Sequence, residues 1–486
     1  MLGPDGLGGD RSALDARRAQ VLDALGALAT VDGSTHEGRI HGWELDGTDV
    51  LLTTELTGVA TLTERMRVVA PDGDVLAPDP DDPAVAGALD VLALTTSVSY
   101  LKATLPRSVV VAGRSGSTAG PATLEMLRAL LTDGLAELAL RAGLGRLDGR
   151  VEVAAERAEE VAAGVVSPDR TVRGGVLVTV GGGKDSALTL ALAARHDPDA
   201  LAVAVNPRPP MERTARWAGL GLVRVERRLD PRLLELNAAG AINGHVPITA
   251  IVTSAAVLAA AVLGRGTVLV SNERSADAAT REVDGWRVNH QYSKTSAFER
   301  LLGAALDEAG ARTRVVSLLR PLTELAIARG VAREVGLVAQ VTSCNAAFAM
   351  SGPGDGWCGR CDKCRFVQLA LAPFSERARL TADLGFDALG DPDQVDAFAT
   401  MLDDATKPFE CVGTVEEVRL ALDLLASTAG GSDPAWADAA AVRALGDADA
   451  PDAGARLTAA LRPDPGVTLP APFGTWLAEV VAEGAR

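Results

Sequence analysis

The sequence has little lysine, tyrosine or cysteine, and its charge is mostly negative. Its 486 residues include 5 cysteines and 2 tyrosines, and 47 basic residues stand against 64 acidic ones, for a formal net charge of -17. Proteins that bind the phosphate backbone of DNA or RNA need clustered positive charge, so this composition argues against a nucleic-acid partner. Five cysteines are too few for a disulfide framework in a chain of this length.

The sequence also lacks an obvious membrane-spanning run. Its longest apolar stretch, at residues 248–263, is rich in alanine and shorter than the ~20 residues that a membrane helix needs. We therefore expect a buried helix there and no membrane anchor. Residues 1–10 carry acid and glycine rather than a basic segment followed by an apolar one. This pattern predicts a chain without a signal peptide, located in the cytoplasm.

The first part of the chain, residues 1–170, mixes short alternating segments with helical patterns. Residues 50–56 alternate between apolar and polar side chains, as a half-buried strand does. Helical spacing is present at residues 12–28 and 122–144, and a glutamate-rich helix is predicted at 151–161. We interpret this part as a small N-terminal α+β domain with a helical connector.

A different pattern begins near residue 171, where compact β-branched runs alternate with helical segments. The runs lie at residues 176–180, 201–205, 222–225, 267–270 and 314–318. Such alternation predicts an α/β domain over residues 171–374, with a parallel sheet buried on both faces and ligands at the carboxyl ends of its strands. Residues 375–486 are predicted to be helical, with a linker at 430–454 and an amphipathic helix at 473–481.

A glycine loop follows the first of these strands. Gly181, Gly182 and Gly183 allow a close backbone approach to an anion, and the following helix supplies free N–H groups and a favourable dipole. Lys184 and Ser186 add a positive charge and a hydroxyl. Asp185 adds a carboxylate able to hold Mg²⁺ beside phosphates. The spacing fits neither a Walker loop nor a dinucleotide fingerprint, yet strand, loop and helix together predict phosphate binding.

Three polar segments lie downstream of this loop. One contains Asn243 and His245 and precedes the apolar stretch; another contains Asn272, Glu273 and Arg274 and directly follows a predicted strand. The third contains Asn289, His290, Tyr292 and Lys294. A histidine near a helix start can exchange a proton near neutral pH or can serve only to cap and pack. A segment that combines His, Tyr and Lys favours substrate binding or acid–base chemistry over a solvated loop.

Four cysteines supply the number of thiolates that a closed tetrahedral zinc site uses. Cys358, Cys361 and Cys364 are spaced by two residues each, and Cys344 lies upstream. We predict a structural Zn²⁺ site, with an iron–sulfur cluster on the same ligands as one alternative. Another alternative keeps Cys344 or Cys411 as an acid–base thiol.

The glycine loop resembles the Ser-Gly-Gly-x-Asp-Ser pyrophosphate loop of N-type ATP pyrophosphatases, with Gly181 in place of the usual serine. This resemblance implies an ATP-pyrophosphatase-like (adenine nucleotide alpha hydrolase-like) core that cleaves ATP to AMP and diphosphate while adenylating a substrate oxygen.

Several motifs together resemble the UDP-N-acetylmuramoyl-L-alanyl-L-glutamate epimerase family over roughly residues 90–420. They lie at residues 99–102, 181–186, 243–250, 271–276, 289–294, 343–345, 358–367 and 409–413. The resemblance implies ATP- and Mg²⁺-dependent inversion of the terminal L-glutamate of a UDP-muramoyl dipeptide, in peptidoglycan precursor synthesis. It also implies functional coupling to a ligase that adds L-glutamate.

On this hypothesis, Gly181 to Ser186 bind ATP phosphates and Mg²⁺. The candidates for proton transfer or enolate stabilisation are His245, Glu273, His290, Tyr292 and Lys294. Asn272, Arg274 and Asn289 are predicted to bind substrate, with Arg274 on the glutamate side-chain carboxylate. Two other classes stay open: an N-type ATP pyrophosphatase acting on a nucleobase, tRNA or another carboxylate, as 7-cyano-7-deazaguanine synthase does, and a non-catalytic nucleotide-binding protein.

Overall fold

A computed structural model describes residues 37–156, 174–349, 352–428 and 431–481. The helix predicted at residues 12–28 lies outside these ranges. The strands, in chain order, are β1 (Glu37–Asp46), β2 (Asp49–Leu56), β3 (Ala60–Val69), β4 (Val75–Leu76), β5 (Ser108–Val111), β6 (Glu152–Ala155), β7 (Leu177–Thr179), β8 (Leu201–Val205), β9 (Leu222–Arg228), β10 (Thr267–Val270), β11 (Arg281–Val283), β12 (Trp286–Val288) and β13 (Arg314–Ser317).

The α-helices are α1 (Pro83–Leu101), α2 (Gly113–Thr118), α3 (Pro121–Thr132), α4 (Ala136–Arg141), α5 (Lys184–His196), α6 (Pro209–Trp217), α7 (Arg232–Ala238), α8 (Ile248–Val262), α9 (Ser296–Glu308), α10 (Glu324–Arg333), α11 (Asn345–Phe348), α12 (Asp362–Leu371), α13 (Arg377–Leu384), α14 (Val395–Ala399), α15 (Val415–Ser427), α16 (Ala440–Leu445), α17 (Ala453–Ala460) and α18 (Phe473–Val481).

The chain forms two compact units and passes between them several times. Unit 1 contains the residues up to Gly174 together with Val223–Val268 and Val288–Val315. Unit 2 contains Gly175–Leu222, Leu269–Arg287 and Val316–Arg486. The sequence-based division into residues 1–170, 171–374 and 375–486 stays a prediction.

Unit 1 is built on a mixed sheet. Strands β1, β2 and β3 form an antiparallel meander, β3 pairs antiparallel with β9, and β5 lies parallel to both β1 and β6. The alternating segment at residues 50–56 is confirmed as a strand, with Leu52, Thr54 and Leu56 buried. The helix predicted at 151–161 is wrong for Glu152–Ala155, which form β6. Parallel pairing with β5 overrides the helical preference of glutamate and alanine in this segment.

The longest apolar element is α1, which the sequence analysis missed. Asp82 caps its N-terminus by accepting from the Ala84 N–H, and Pro83 opens its first turn. By length and composition alone α1 could span a membrane, but 94% of its apolar window is buried inside the protein. Asp90 interrupts the run and accepts a hydrogen bond from the Trp43 indole at 2.8 Å. The predicted buried helix at 248–263 is confirmed as α8, which packs against α1.

Unit 2 contains the parallel pair β7 and β8, and the strand order around this pair is β13, β10, β7, β8. All five runs predicted as strands form strands here and in unit 1, which confirms a mixed α/β protein. Helices α5, α10, α12 and α15 contribute to one hydrophobic core that also includes Trp436. The predicted amphipathic helix at 473–481 is confirmed as α18.

The linker predicted at residues 430–454 is wrong in part. Helix α16 forms at Ala440–Leu445, and α17 begins at Ala453. Trp436 is fully buried, and its indole donates to the Ser375 carbonyl at 2.9 Å. Burial of one large aromatic side chain stabilises this segment enough to order a stretch whose glycine and aspartate content predicts loops.

Candidate functional site

The glycine loop of unit 2 joins β7 to α5, as the sequence predicts. Gly182 has φ +83°, and a Cβ there would lie 3.0 Å from the Pro210 Cβ, so this position requires glycine. Gly183 is the N-cap residue of α5. The Ser186 hydroxyl donates to the Gly183 carbonyl at 3.1 Å and accepts from the Gly181 N–H at 3.2 Å. A tight loop at a helix N-terminus results, which is the geometry that binds phosphate groups.

Lys184 is buried and held by carboxylates. Its ammonium donates to Asp185 and to Glu324, the first residue of α10. The pKa of Glu324 is raised to about 8, because burial and the neighbouring carboxylates outweigh the lowering effect of Lys184. Glu417 continues the group, because its carboxylate accepts from the Glu324 N–H at 2.7 Å. The lysine charge is thus fixed beside the loop.

Sequence reasoning missed Glu324 and Glu417. Glu417 belongs to a capping box in which Thr414 and Glu417 satisfy each other's backbone N–H groups. The pattern Thr-x-x-Glu before an apolar run is readable as a helix start. Nothing in that pattern indicates that its carboxylate also lies beside Lys184, since 233 positions separate the two residues in the sequence.

The segment after β10 lies beside this group. The Ser275 hydroxyl is 3.5 Å from Glu324 Oε1, and the Ser271 hydroxyl donates to Thr189 in α5 at 2.8 Å. The structure therefore brings the predicted segment at 271–275 next to the loop. Glu273 is buried, and its backbone carbonyl accepts from Arg320 at 3.0 Å.

Two predicted substrate ligands in this segment make contacts within the protein. The Asn272 amide donates to the Ser317 hydroxyl at 3.0 Å. The Arg274 guanidinium donates to the carbonyls of Pro321 and Arg462, the latter at 3.1 Å, and its Nε lies 3.9 Å from Asp464. A substrate carboxylate would have to compete with these contacts for Arg274.

In unit 1 the other two polar segments meet at one carboxylate. Glu137 Oε2 is hydrogen bonded to His290 Nδ1 and lies 3.4 Å from His245 Nδ1. The two imidazole rings are 4.8 Å apart and inclined by 48°. Only 5% of the Glu137 side chain is exposed, against 17% for His245 and 20% for His290. The structure thus brings together two histidines predicted from separate motifs and adds an acid that the sequence analysis missed.

The neighbouring predicted residues Asn289, Tyr292 and Lys294 make contacts within unit 1. Tyr292 is hydrogen bonded to Asp133. Burial and the Asp133 carboxylate raise the pKa of Tyr292. The Asn289 side chain accepts from the Gln291 N–H at 2.7 Å. Lys294 ends the short 3₁₀ turn Tyr292–Lys294 and donates its backbone N–H to Gln291.

A further buried base lies in unit 1. Lys102 is 4% exposed, and its ammonium donates to the Asn243 side chain at 2.8 Å. Burial lowers the pKa of Lys102 to about 8. The sequence signal was present, since this is one of only five lysines and it lies in the motif at residues 99–102. A lysine poised near neutral pH is a common feature of functional sites.

The four predicted metal-ligating cysteines of unit 2 converge. The Sγ–Sγ distances are 3.9 Å for Cys344 to Cys361, 3.7 Å for Cys358 to Cys364 and 3.4 Å for Cys361 to Cys364. A single tetrahedral Zn²⁺ with bonds of ~2.3 Å places its thiolates ~3.8 Å apart. All four sulfur atoms lie within 4.8 Å of one another, which leaves room for one ion rather than for a multi-iron cluster.

Backbone N–H groups support the same interpretation. The amides of Ala347 and Cys358 point at Cys344 Sγ, at 3.4 and 3.3 Å. The Cys361 amide points at Cys358 Sγ, also at 3.3 Å. Such hydrogen bonds stabilise thiolates that bind a metal. Cys344 is fully buried in this group, which argues against its use as an acid–base thiol.

Comparisons with known proteins agree with the motif resemblance. Residues 39–318 match the family model of the MurL N-terminal domain, and residues 340–459 match that of the MurL C-terminal domain. The chain belongs to the MurL family. The N-terminal match contains the glycine loop, Glu137, His245 and His290, whereas the C-terminal match contains the cysteine cluster.

MurL relatives from three bacteria align with most of this chain. Each is named UDP-N-acetyl-alpha-D-muramoyl-L-alanyl-L-glutamate epimerase. The Salinispora tropica protein is 43% identical over 74% of this chain and 76% of its own length, and the Micromonospora sp. protein is 42% identical over 76% and 81%. The Xanthomonas oryzae pv. oryzae protein is 38% identical over 77% and 84%.

Proposed function

We propose that this chain inverts the terminal L-glutamate of UDP-N-acetylmuramoyl-L-alanyl-L-glutamate to D-glutamate, and that it drives the reaction by cleaving ATP to AMP and diphosphate. Family membership supports this choice of substrate, because the relatives are named for this epimerisation. The strand, glycine loop and helix around Lys184 support the use of ATP. The proposal includes an ATP-pyrophosphatase-like core and a location in the cytoplasm. It also includes functional coupling of this enzyme to a ligase that adds L-glutamate.

Activation of the substrate explains why ATP is needed. Removing the α-proton beside a carboxylate would place a second negative charge next to the first. Adenylation converts the carboxylate into a neutral acyl group, so the carbanion becomes an enolate-like species that nearby donors stabilise. Proton removal on one face and return on the other invert the centre, and water then releases AMP.

The phosphates of ATP are assigned to residues 181–186 of unit 2. Asp185 offers a carboxylate, 26% exposed, that suits Mg²⁺, and the metal would neutralise phosphate charge. Lys184 would exchange a carboxylate for phosphate oxygens when ATP binds. The structure pairs it with Asp185 and Glu324, whose surroundings are already rich in negative charge.

Proton transfer and enolate stabilisation are assigned to His245, Glu273, His290, Tyr292 and Lys294. His245 and His290 have the strongest support, because both rings lie beside the same buried carboxylate. Asn272, Arg274 and Asn289 are assigned to substrate binding. The cysteine cluster is assigned a structural Zn²⁺ through Cys344, Cys358, Cys361 and Cys364.

The test is to incubate the purified protein with ATP, Mg²⁺ and the UDP-muramoyl dipeptide, and to measure AMP, diphosphate and the chirality of the product glutamate. We expect D-glutamate together with AMP and diphosphate. ATP cleavage with a different carboxylate or a nucleobase, but not with this dipeptide, would keep the ATP site and reject the substrate. No cleavage with any acceptor would favour a nucleotide-binding protein without activity.

A further inference from the structure

One face of the helical segment 133–141 carries three charged residues at intervals of four. Asp133, Glu137 and Arg141 share this face because side chains at i and i+4 lie above one another on a helix. Asp133 is bonded to Tyr292, and Arg141 Nε donates to Glu137 Oε1 at 2.6 Å. The segment that contains His245 packs on the same helix, because Gly244 lies against Leu138 and Pro247 lies against Gly134. This face therefore holds parts of both polar segments.

The protonation of Glu137 determines which ring nitrogens carry protons. Burial would raise the pKa of this carboxyl, but the hydrogen bond to His290 and the surrounding positive charge lower the pKa to about 2. An ionised carboxylate only accepts hydrogen bonds. Since Oε2 is in hydrogen-bond contact with His290 Nδ1, that nitrogen must be the donor. Neutral His290 then has its lone pair on Nε2.

His245 is a neutral neighbour of this pair. Its Nδ1 lies 3.4 Å from the same Glu137 oxygen, farther than an ordinary hydrogen bond. Burial, followed by repulsion from His290, lowers the pKa of His245 to about 4. His290, Glu137 and Arg141 act electrostatically on His245. Both rings lie beside Glu137, which is also paired with Arg141, and repulsion between His245 and His290 opposes protonation of both rings at once.

We propose that Glu137 is a positioning residue that holds His290 in its Nδ1–H tautomer and so makes His290 Nε2 the proton acceptor of this protein. The inference rests on the proposed function for the identity of the proton. In that step the C–H bond at the glutamate α-carbon breaks, its electron pair moves into the acyl group, and the proton forms an N–H bond on Nε2. The imidazolium that results is balanced by Glu137.

The same three side chains are a possible ligand set for a divalent metal ion. One observation favours the proton acceptor over the metal. Arg141 contributes a permanent positive charge to the same carboxylate, and this charge would repel a cation. Metal binding is therefore one of the results that would overturn the proposal.

The first experiment observes the tautomers directly and needs no substrate. The chain contains only five histidines, so a protein labelled with ¹⁵N-histidine gives few imidazole signals. His245→Gln and His290→Gln variants assign two of them. We expect neutral His290 to carry its proton on Nδ1, and we expect Glu137→Gln to lower the His290 pKa by ~1 or more, because a negative charge beside the imidazolium is lost.

A proton on Nε2 in neutral His290, or a His290 pKa unchanged in Glu137→Gln, would overturn the proposal. So would one divalent ion per chain that His290→Gln loses and Cys361→Ser retains. Glu125→Gln is the matched control, because Glu125 is a half-exposed acid on the preceding helix α3, paired with Arg128. It is expected to leave both the tautomer and the His290 pKa as in the wild type.

The second experiment measures epimerisation. We expect Glu137→Gln to lower kcat by ~10²-fold or more with little change in KM, and to move the acidic limb of the pH profile to lower pH. Glu125→Gln is expected to retain wild-type kcat. A loss of kcat in Glu137→Gln without movement of the pH profile would indicate a merely structural role. If the wild type itself fails to epimerise the dipeptide, the proposed function fails, whereas the tautomer experiment still tests Glu137.

Discussion

Replacing one cysteine of the cluster provides the sharpest test of the proposed structural Zn²⁺ site. The Cys361→Ser variant removes a thiol whose Sγ lies 3.4 Å from Cys364 Sγ and 3.9 Å from Cys344 Sγ. The variant keeps the size of the side chain but replaces a thiolate with a hydroxyl that is a poor zinc ligand. Cys411→Ser is the matched control, because Cys411 does not belong to the cluster.

The magnitude follows from linkage between metal binding and folding. A metal held at ~1,000 times its Kd stabilises the folded state by ~4 kcal/mol. For a folding unit of about 150–250 residues, 1 kcal/mol corresponds to ~2–4 °C in Tm. We therefore expect Cys361→Ser to unfold ~8–16 °C below the wild type. Trp357 and Phe386 pack against the cluster, so their surroundings should loosen as well.

The assay combines metal content per chain, by mass spectrometry of the dissolved protein, with calorimetric unfolding in the presence and absence of a chelator. Wild type and Cys411→Ser are expected to carry about one Zn²⁺ per chain, and the chelator should lower the Tm of both. The reasoning is refuted if Cys361→Ser retains a full equivalent of metal, or if Cys411→Ser loses as much metal and stability as Cys361→Ser does. Iron in place of zinc would reject the zinc assignment.

Three further substitutions test other parts of the structure. Asp185→Asn should lower diphosphate release by ~10²-fold or more while the Tm stays near that of the wild type, and undiminished release would contradict its role at ATP. The pKa of Lys102 is lowered from 10.5 to about 8, so the cost of burying its charge is complete below pH 8 and fades toward pH 10.5. The free energy of unfolding of Lys102→Met, measured with urea, should therefore fall by ~3 kcal/mol relative to the wild type as the pH rises across that window. A difference between the two proteins that stays constant with pH would argue against a charged buried amine. Arg227→Met leaves buried Glu64 without its positively charged partner and should cost ~3–5 kcal/mol. The exposed Arg228→Met should cost less than ~0.5 kcal/mol, and equal urea midpoints for the two variants would contradict this reasoning.

Local patterns in the sequence were sufficient for much of the core of unit 2, for its glycine loop and for its cysteine cluster. The predicted runs at 201–205 and 267–270 coincide with β8 and β10, because β-branched clusters bounded by turns fit buried strands and little else. The glycine loop and the cysteines were predictable for a related reason, since their residues are close in sequence and their spacing already constrains the geometry.

Other features depended on neighbours that no local pattern reveals. Glu152–Ala155 form a strand only because β5 offers pairing groups, and Trp436 orders a segment whose composition predicts a linker. Both differences arise where burial and long-range pairing exceed the small energies of local preference.

The sequence alone determined the residue types and their local spacing: the glycine turn before a helix, four thiols in range of one another, and histidines and a lysine in polar segments. The tertiary structure decided which charges face each other. Glu137 reached His290 across 153 positions, and Glu324 reached Lys184 across 140. A buried charge is stable only beside a partner, and that partner is chosen by how helices and strands pack rather than by distance along the chain.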